Sequence, residues 1–205
     1  MTYDAVVFDL LTALIDSWTL WNNVAGSADD GMKWRRRYLE ITYGCGAYRP
    51  YEALVREAAR DVGLPERLGD DLEARWDELS PWPEAPAILE RIGVPLAVAT
   101  NCSNRLGRRA ARRVGVPFDL VETAESIGFY KPRPEVYRAV LQRLGTAPDR
   151  TLFVAGSASD VPGAKAVGMV VYWHNRVGLP PHGVGGDEAR PDFLEKSLEP
   201  LSKLL

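Results

Sequence analysis

Short apolar runs recur along the chain, and stretches with helical spacing separate most of them. The runs cover residues 5–8, 94–99, 151–155 and 169–173. Continuous apolar runs that contain β-branched residues are typical of strands buried on both faces. Helical spacing of apolar residues is found at 84–92, 104–114, 134–144 and 160–167. Because strands and helices alternate, the pattern predicts an α/β fold with a Rossmann-like parallel sheet and helices on both faces.

The segment between the first two runs has a different pattern, without a convincing buried strand. Its apolar residues recur at helical spacing, as in Leu54 and Ala58. We therefore expect a helical cap inserted after the first strand, at residues 17–80. Residues 1–16 and 81–205 would then form the Rossmann-like core.

The C-terminal part contains two further patterns. Gly and Pro cluster at 178–186, which predicts a surface loop. Residues 193–205 have helical spacing that Pro200 interrupts, which predicts a broken C-terminal helix.

Composition and charge narrow the class of protein. The chain has 205 residues, of which 46% are hydrophobic, enough for one core domain with an insertion. Its 25 basic and 28 acidic residues give a net charge of -3, so we expect no nucleic-acid partner. The 2 cysteines and the acidic N-terminus argue against a disulfide framework and a signal peptide, and no apolar run reaches the ~20 residues of a membrane span. These features predict a cytoplasmic protein without a membrane partner.

Polar side chains follow three of the predicted strands. Asp9 comes after the first run, Thr100 and Asn101 end the second, and Gly156 and Ser157 follow the third. Ligands of doubly wound parallel sheets bind at the carboxyl ends of the strands, so these residues are candidates for one site. A buried carboxylate is costly unless it is paired, which makes Asp9 the most informative of them. The alternative is that Asp9 only caps the turn that follows its strand.

Four short motifs include these strand ends. They are Val7-Phe8-Asp9, Ala99-Thr100-Asn101, Tyr130-Lys131-Pro132 and Gly156-Ser157-Ala158-Ser159-Asp160. In order and spacing, they resemble the four motifs of the haloacid dehalogenase superfamily. The resemblance covers essentially the whole chain, since the helical segment also lies where these proteins insert their cap. Each motif alone is weakly specific, but four in order are a specific signal.

The superfamily consists mostly of phosphatases, and two positions differ from the phosphatase pattern. Leu11 stands where phosphatases carry a second Asp that protonates the leaving group, and leucine cannot donate a proton. Gly156 stands where the first acid of the fourth motif would bind magnesium, a cation that prefers carboxylate oxygens. These differences disfavour metal-dependent phosphoryl transfer. We therefore expect no metal and no other cofactor.

The remaining features resemble the 2-haloacid dehalogenases, which need neither the metal nor the second Asp. Residues 34–43 are similar to the cap helix of those enzymes, which carries Trp-Arg, then Leu-Glu, then Thr. The resemblance places Arg35 where the family receives the departing halide, and a guanidinium suits an anion because its charge is permanent. The alternative is a solvated basic helix face, because Arg36 and Arg37 follow.

The resemblance implies nucleophilic catalysis in two displacements. Asp9 would attack the halogen-bearing carbon of a small 2-halocarboxylic acid and form an aspartyl ester, while halide leaves toward Arg35. Water would then attack the carbonyl of that ester. Lys131 would keep Asp9 ionised beforehand and would offset the charge that develops on its oxygen afterwards.

The resemblance also assigns further residues to the site. Asp160 would orient Lys131 or the hydrolytic water, and alternatively it is only an acid at a helix N-terminus. Ser157 stands where the dehalogenases have an amide that helps to position water, and we expect it to replace that amide in part. Four residues would bind the substrate: Thr100, Asn101, Leu11 and Leu39.

Three positions depart from the dehalogenase pattern. Ala13 replaces a Thr that bonds to the nucleophile, although Thr12 precedes it. Ala155 replaces a hydroxyl residue of the fourth motif, and Ser159 replaces an aromatic residue that closes the pocket. We therefore expect a larger pocket, or one closed from the cap by Trp18, Trp21 or Tyr48.

The preferred interpretation is a metal-independent hydrolase of the 2-haloacid dehalogenase type, whose partner is a small-molecule carboxylic acid. Two alternatives stay open: a superfamily phosphatase with a degenerate metal site, and a catalytically idle member that binds a small acid or a protein. The resemblance also allows a homodimer that forms through the cap.

Overall fold

A computed structural model describes residues 3–179 and 190–205. Within them, six parallel strands form one sheet in the order β3-β2-β1-β4-β5-β6. The strands are β1 Ala5–Phe8, β2 Leu96–Thr100, β3 Leu120–Thr123, β4 Thr151–Ala155, β5 Val170–His174 and β6 Phe193–Glu195. The sheet confirms the predicted α/β class. The predicted surface loop at 178–186 lies, from residue 180 onward, outside the described residues.

Nine α-helices accompany the strands in the described part of the chain. They are α1 Ser17–Ala25, α2 Ala28–Gly44, α3 Tyr51–Asp61, α4 Arg67–Ala74, α5 Ala85–Leu89, α6 Asn104–Arg113, α7 Ala124–Ile127, α8 Pro134–Leu144 and α9 Asp160–Ala166. The first four fall between β1 and β2, within the segment where the pattern predicts a helical cap. None of the helices in the described residues is both long and apolar enough to cross a membrane.

The alternation of side chains along the strands buries both faces of the sheet. In β1, Val6 and Phe8 belong to one apolar cluster and Val7 belongs to the other. The cluster around Val7 includes side chains of α8 and α9, and the opposite cluster includes side chains of α5, α6 and the four helices that follow β1. Helices therefore cover both faces, as predicted for continuous apolar strands.

Two strands differ from the sequence expectation. The helical prediction for residues 193–205 is wrong: β6 pairs with β5 at the edge of the sheet, and a 3-10 turn follows at Glu199–Lys203. Pro200 lacks the N–H that a continuous helix would need at this point. β3 was not predicted, because the buried Glu122 interrupts its apolar residues. Glu122 is stabilised there by Arg143 and by the hydroxyl of Ser126.

Helix α2, which packs against α1, lies at the edge of the sheet where the strands end. α1 and α2 approach closely because residue 31 is glycine; a Cβ there would lie 2.7 Å from the Cα of Asn22. Tyr38 of α2 donates from its hydroxyl to the carbonyl oxygen of Asn101, at 2.8 Å, just after β2. α2 is thereby held over the carboxyl ends of the strands.

Candidate active site

Asp9 is fixed by the turn that follows β1. Its N–H donates to the carbonyl oxygen of Val154 at 2.9 Å, and the residue is 7% exposed. Oδ2 accepts from the N–H of Thr12 at 3.0 Å, from the Thr12 hydroxyl at 2.6 Å and from the N–H of Ala13 at 3.2 Å. Asp9 therefore does cap the turn, as the alternative interpretation had it, but with one oxygen only. Thr12 supplies the hydroxyl that Ala13 lacks.

The second oxygen of Asp9 faces a buried lysine. Nζ of Lys131 donates to Asp9 Oδ1 at 2.7 Å and to Asp160 Oδ2 at 2.9 Å, and the lysine side chain is 1% exposed. The main chain of Lys131 is held by the amide of Asn101, which accepts from its N–H at 2.7 Å and donates to its carbonyl oxygen at 3.0 Å. One ammonium group thus joins the end of β1 to the start of α9.

This arrangement separates the titration of the two carboxyl groups. Burial raises the pKa of Asp9, but the charge of Lys131 and the hydrogen bonds from Lys131 and Thr12 outweigh it and leave that pKa below its usual value. For Asp160, burial prevails over the attraction of Lys131 and raises the pKa to about 6. Burial lowers the pKa of Lys131, yet the two carboxylates raise it overall. At neutral pH, Asp9 is an ionised carboxylate beside an ammonium ion.

Asp160 begins α9, where a negative charge is favoured by the helix dipole. Its main chain is also held from α8, because the hydroxyl of Tyr137 donates to the Asp160 carbonyl oxygen at 3.0 Å. Sequence reasoning missed this contact of Tyr137. Its position in α8 fits the helical pattern of a core residue and gives no sign of a polar role.

Arg35 lies on α2 with its charge directed inward. It is 6% exposed, whereas the next residue, Arg36, is exposed, so a solvated basic face describes Arg36 rather than Arg35. The guanidinium carbon lies 4.0 Å from the ring centre of Trp18, a cation–π contact. Within the described residues, no carboxylate forms an ion pair with Arg35, and its Nη1 has no hydrogen-bond partner. A buried, unpaired guanidinium is suited to an external anion.

A single cavity brings the predicted site residues together. Its lining includes Asp9, Leu11, Arg35, Leu39, Thr100, Asn101, Lys131, Ser157 and Asp160. Trp18 and Trp21 also line it, as expected for side chains that close the pocket from the cap. Tyr48 instead stacks on Tyr130, with ring centres 5.4 Å apart.

Tyr43, at the end of α2, reaches the part of the site where Ser159 replaces an aromatic residue. It lines the cavity, and its hydroxyl interacts with the side chains of Ser159 and Ser157. Burial, followed by the charge of Asp160, raises the pKa of Tyr43 to about 12, so the hydroxyl stays protonated at neutral pH. The resemblance places Tyr43 at the end of the cap-helix segment, but sequence analysis assigned it no role in the site.

The residues of the site do not fit a magnesium ion. A Cβ at Gly156, where phosphatases carry an Asp, would lie 2.1 Å from the Thr12 hydroxyl and 2.3 Å from the N–H nitrogen of Ala13. The turn after β1 therefore fills the space that a metal-binding side chain would need. The ammonium group of Lys131 already binds both Asp9 and Asp160 and offsets one of their two negative charges. Across the described ranges, no three His, Cys, Asp or Glu side chains form a group that could hold a metal.

Comparisons with known proteins agree with this geometry. Residues 3–168 match the model of a hydrolase family described as haloacid dehalogenase-like hydrolase. The (S)-2-haloacid dehalogenase 4A of Burkholderia cepacia is 32% identical over 196 residues, which cover 86% of this chain and 85% of the relative. A phosphoserine phosphatase of Thermus thermophilus is 34% identical over 152 residues, which cover 69% of this chain and 59% of the relative. A crystal structure of a dehalogenase with an intermediate complex has a TM-score of 0.86 and 29% identity, with 100% and 97% of the two chains covered.

Proposed function

The chain belongs to the haloacid dehalogenase-like hydrolases, and we propose that it acts as a metal-independent 2-haloacid dehalogenase with Asp9 as the nucleophile. The observation that carries this proposal is the contact of 2.7 Å between Lys131 Nζ and Asp9 Oδ1. This contact keeps the buried carboxylate of Asp9 ionised without a metal. The same cavity is lined by Arg35, whose Nη1 has no hydrogen-bond partner in the described residues.

In the first step, an oxygen of Asp9 attacks the carbon that carries the halogen. Oδ2 already accepts three hydrogen bonds, whereas Oδ1 accepts one from Lys131, so Oδ1 keeps more of its lone-pair density for the attack. A carbon–oxygen bond forms as the carbon–halogen bond breaks, and its electron pair leaves with the halide. Attack from the side opposite the halogen inverts the configuration. The halide moves toward Arg35.

In the second step, water attacks the carbonyl carbon of the aspartyl ester. The carbonyl oxygen of the ester is then Oδ2, where the donors of Thr12 and Ala13 stabilise the negative charge. Lys131, held in place by Asp160, stabilises the charge that develops on Oδ1 as the ester bond breaks. The bond between the carbonyl carbon of Asp9 and the ester oxygen breaks. The 2-hydroxy acid therefore keeps the oxygen that came from Asp9, and the oxygen of water takes its place in the Asp9 carboxylate. One proton of the water remains on the product hydroxyl and the other is released. Ser157, beside Asp160 in the cavity, helps to position the water.

The substrate-binding role falls on the residues around these groups. Thr100 and Asn101 end β2 and face the cavity, where the Asn101 amide has a second N–H beyond the one given to Lys131. Leu11 and Leu39 supply apolar walls, which suit the short carbon chain of a small 2-halocarboxylic acid. Trp18 and Tyr43 limit the room for a longer chain.

The proposal includes the division into a core and a cap at residues 17–80, supported by the position of Arg35 and Leu39 above the strand ends. It also includes a reducing, cytoplasmic compartment, supported by the free thiols of Cys45 and Cys102. A homodimer through the cap would be recognised by light scattering of the intact protein.

Halide release is the test of the proposed activity. Monochloroacetate and both enantiomers of 2-chloropropionate are incubated with the protein in EDTA, and free chloride is measured. We expect chloride release with wild type and none with Asp9→Asn. The control Asp149→Asn changes an exposed acid in the 3-10 turn Pro148–Arg150 and should release chloride as wild type does. Chloride release that survives in Asp9→Asn would contradict the assignment of the nucleophile.

A phosphatase is the second candidate, favoured by the identity to the Thermus thermophilus phosphatase. Leu11 and the filled space at Gly156 argue against it, because proton donation and metal binding both lose their residue. Magnesium-dependent phosphate release from p-nitrophenyl phosphate, without halide release, would establish it. Silence in both assays, with binding of a small carboxylate, would support the idle acid-binding member instead.

A further inference from the structure

The turn after β1 presents two backbone N–H groups to one oxygen of Asp9. The N–H groups of Thr12 and Ala13 donate to Oδ2 at 3.0 and 3.2 Å. Oδ2 carries part of the negative charge of the carboxylate, little charge as the carbonyl oxygen of an ester, and most of a full charge when water adds to that carbonyl. The two N–H groups therefore favour hydrolysis of the ester over its formation, and their direction matters most in the second step.

Three consecutive carbonyl oxygens of the same turn accept hydrogen bonds from buried side chains. The pairs are the Ser17 hydroxyl with the oxygen of Leu11, Nε1 of Trp82 with that of Thr12 at 3.0 Å, and Nδ1 of His174 with that of Ala13 at 2.8 Å. The three donor residues are 0%, 8% and 1% exposed. The turn is therefore held by groups that solvent hardly reaches.

The planar peptide bond passes this restraint on to the N–H groups. In a trans peptide, the carbonyl oxygen of one residue and the N–H of the next lie on opposite sides of the same plane. Trp82 holds the oxygen of Thr12, and the same peptide plane carries the N–H of Ala13. Ser17 in the same way holds the plane that carries the N–H of Thr12. His174 holds the plane that follows, so rotation is restricted at three successive peptides.

We propose that Ser17, Trp82 and His174 are positioning residues that direct the N–H groups of the turn at the oxyanion of the ester-hydrolysis step. The inference rests on the proposed dehalogenase function and adds to it residues that act through the main chain. When the oxygen of water bonds to the carbonyl carbon, the electron pair of the carbonyl π bond moves to Oδ2. Donors that are already in place stabilise this charge without any rearrangement of the turn.

Trp82 is itself fixed from several sides. Its backbone N–H donates to the carbonyl oxygen of Leu14 at 2.9 Å. The guanidinium carbon of Arg176 lies 4.9 Å from the centre of its ring, and Arg176 is paired with Glu84. The rings of Trp82 and His174 meet edge to face, with centres 6.3 Å apart and planes at 77°. The two donors therefore form one packed unit, whose direction is set before substrate binds.

The protonation of His174 agrees with this role. A carbonyl oxygen can only accept, so Nδ1 carries the hydrogen in the bond to Ala13. Burial lowers the pKa of His174, so the ring is neutral at neutral pH and Nε2 is an acceptor. Nε2 has no partner in the described part of the chain, which is unfavourable for a buried nitrogen. The bond of Nδ1 therefore explains the histidine better than the stability of β5 does.

A single turnover with enzyme in excess over (S)-2-chloropropionate separates the two steps. Chloride reports formation of the ester, and lactate in the same quenched samples reports its hydrolysis. In Trp82→Phe and His174→Leu we expect the rate constant of hydrolysis to fall about tenfold, less than the loss of about 10²–10³ when an oxyanion donor is removed altogether. Ester formation should stay within about threefold of wild type, because the donors do not favour that step. The ester on Asp9 should accumulate and be detected in the mass of the intact protein.

Two matched variants separate the hydrogen bonds from the packing. His174→Asn has the shape of His174→Leu but keeps an N–H near the place of Nδ1, so it should recover hydrolysis to within about threefold of wild type. Trp76→Phe removes another buried indole bond, to the carbonyl oxygen of Leu106 on α6 at 2.9 Å, and should leave both steps unchanged.

A role limited to folding would lower both steps together. Equal losses in ester formation and hydrolysis in Trp82→Phe and His174→Leu would therefore overturn the proposal, as would an equal loss in His174→Asn and His174→Leu. If Trp82→Phe does not fold, the two variants of His174 carry the test.

Hydrogen exchange without substrate keeps this proposal distinct from the proposed function. We expect the amides of Thr12 and Ala13, followed by NMR, to exchange at least about tenfold faster in Trp82→Phe than in Trp76→Phe. If this holds in a protein whose wild type releases no chloride from any 2-haloacid, the proposed function is overturned and the held turn is retained. Chloride and lactate formed at wild-type rate constants in Trp82→Phe and His174→Leu would retain the function and overturn the positioning role.

Discussion

The substitution Lys131→Met removes the charge that joins the two buried carboxylates. Nζ lies 2.7 Å from Asp9 and 2.9 Å from Asp160, in a side chain that is 1% exposed. Methionine fills similar space but leaves both carboxylates buried and unpaired. Breaking a buried ion pair from one side costs about 3–5 kcal/mol of the free energy of unfolding.

The loss of stability should depend on pH in a direction that the geometry determines. Without Lys131, the pKa of Asp160, which burial already raises to about 6, rises further because the attraction that opposed burial is lost. A carboxyl group with a raised pKa in the folded state contributes stability that is present at low pH and is lost as pH rises through that pKa. The variant should therefore be close to wild type near pH 4 and furthest from it near pH 8.

Urea unfolding of both proteins at several pH values measures this difference, and Lys165→Met is the control. Lys165 pairs with Asp192 at 2.9 Å, but the two side chains are 26% and 35% exposed, so the loss of this pair should cost less than about 1 kcal/mol of the free energy of unfolding.

In parallel, kcat of Lys131→Met should fall by about 10²–10³, the usual loss when a donor to a developing oxyanion is removed. A stability loss independent of pH, or a kcat within tenfold of wild type, would refute the reasoning.

Three further predictions follow from individual contacts. Asp160 must be ionised to hold Lys131, so kcat measured from pH 4.5 to 8 should fall about tenfold per pH unit below about 6. The residual activity of Asp160→Asn should not show this decrease at acidic pH. Thr12→Val removes the 2.6 Å bond to Asp9, and kcat should fall about 10–100-fold with the fold intact by circular dichroism; wild-type activity would show the hydroxyl to be dispensable. Gly156→Asp should lower the midpoint of urea unfolding, because the new side chain would collide with the turn after β1, and it should not create a magnesium-dependent phosphatase. A stable variant with magnesium-activated phosphatase activity would contradict this prediction.

The sequence predicted the strands that are buried on both faces and missed those that are not. β1 and β4 have the predicted bounds because continuous apolar runs and the polar residues that follow them mark both ends. β3 contains the buried Glu122, whose partner Arg143 lies on α8 and is not visible as a pair in the sequence. β6 is an edge strand in which Leu194 is 56% exposed, so its sequence lacks the apolar pattern that marks a buried strand.

In the site, the predicted residues come from the four short motifs and from the segment of α2 that resembles the cap helix of the family, which carries Arg35 and Leu39. The residues that were not predicted depend on tertiary packing. The part played by Thr12 depends on the shape of the turn after β1, and that of Tyr43 depends on how α2 packs above the sheet. Local sequence patterns place such aromatic residues in a core but do not say which hydroxyl faces a cavity.

The most direct test of the account is the origin of the product oxygen. With enzyme in excess over (S)-2-chloropropionate in ¹⁸O-labelled water, one turnover should give unlabelled lactate and place the label in the peptide that contains Asp9, as read by mass spectrometry. Label in the lactate and none in Asp9 would mean that water attacks the substrate carbon directly, and it would contradict the aspartyl-ester mechanism.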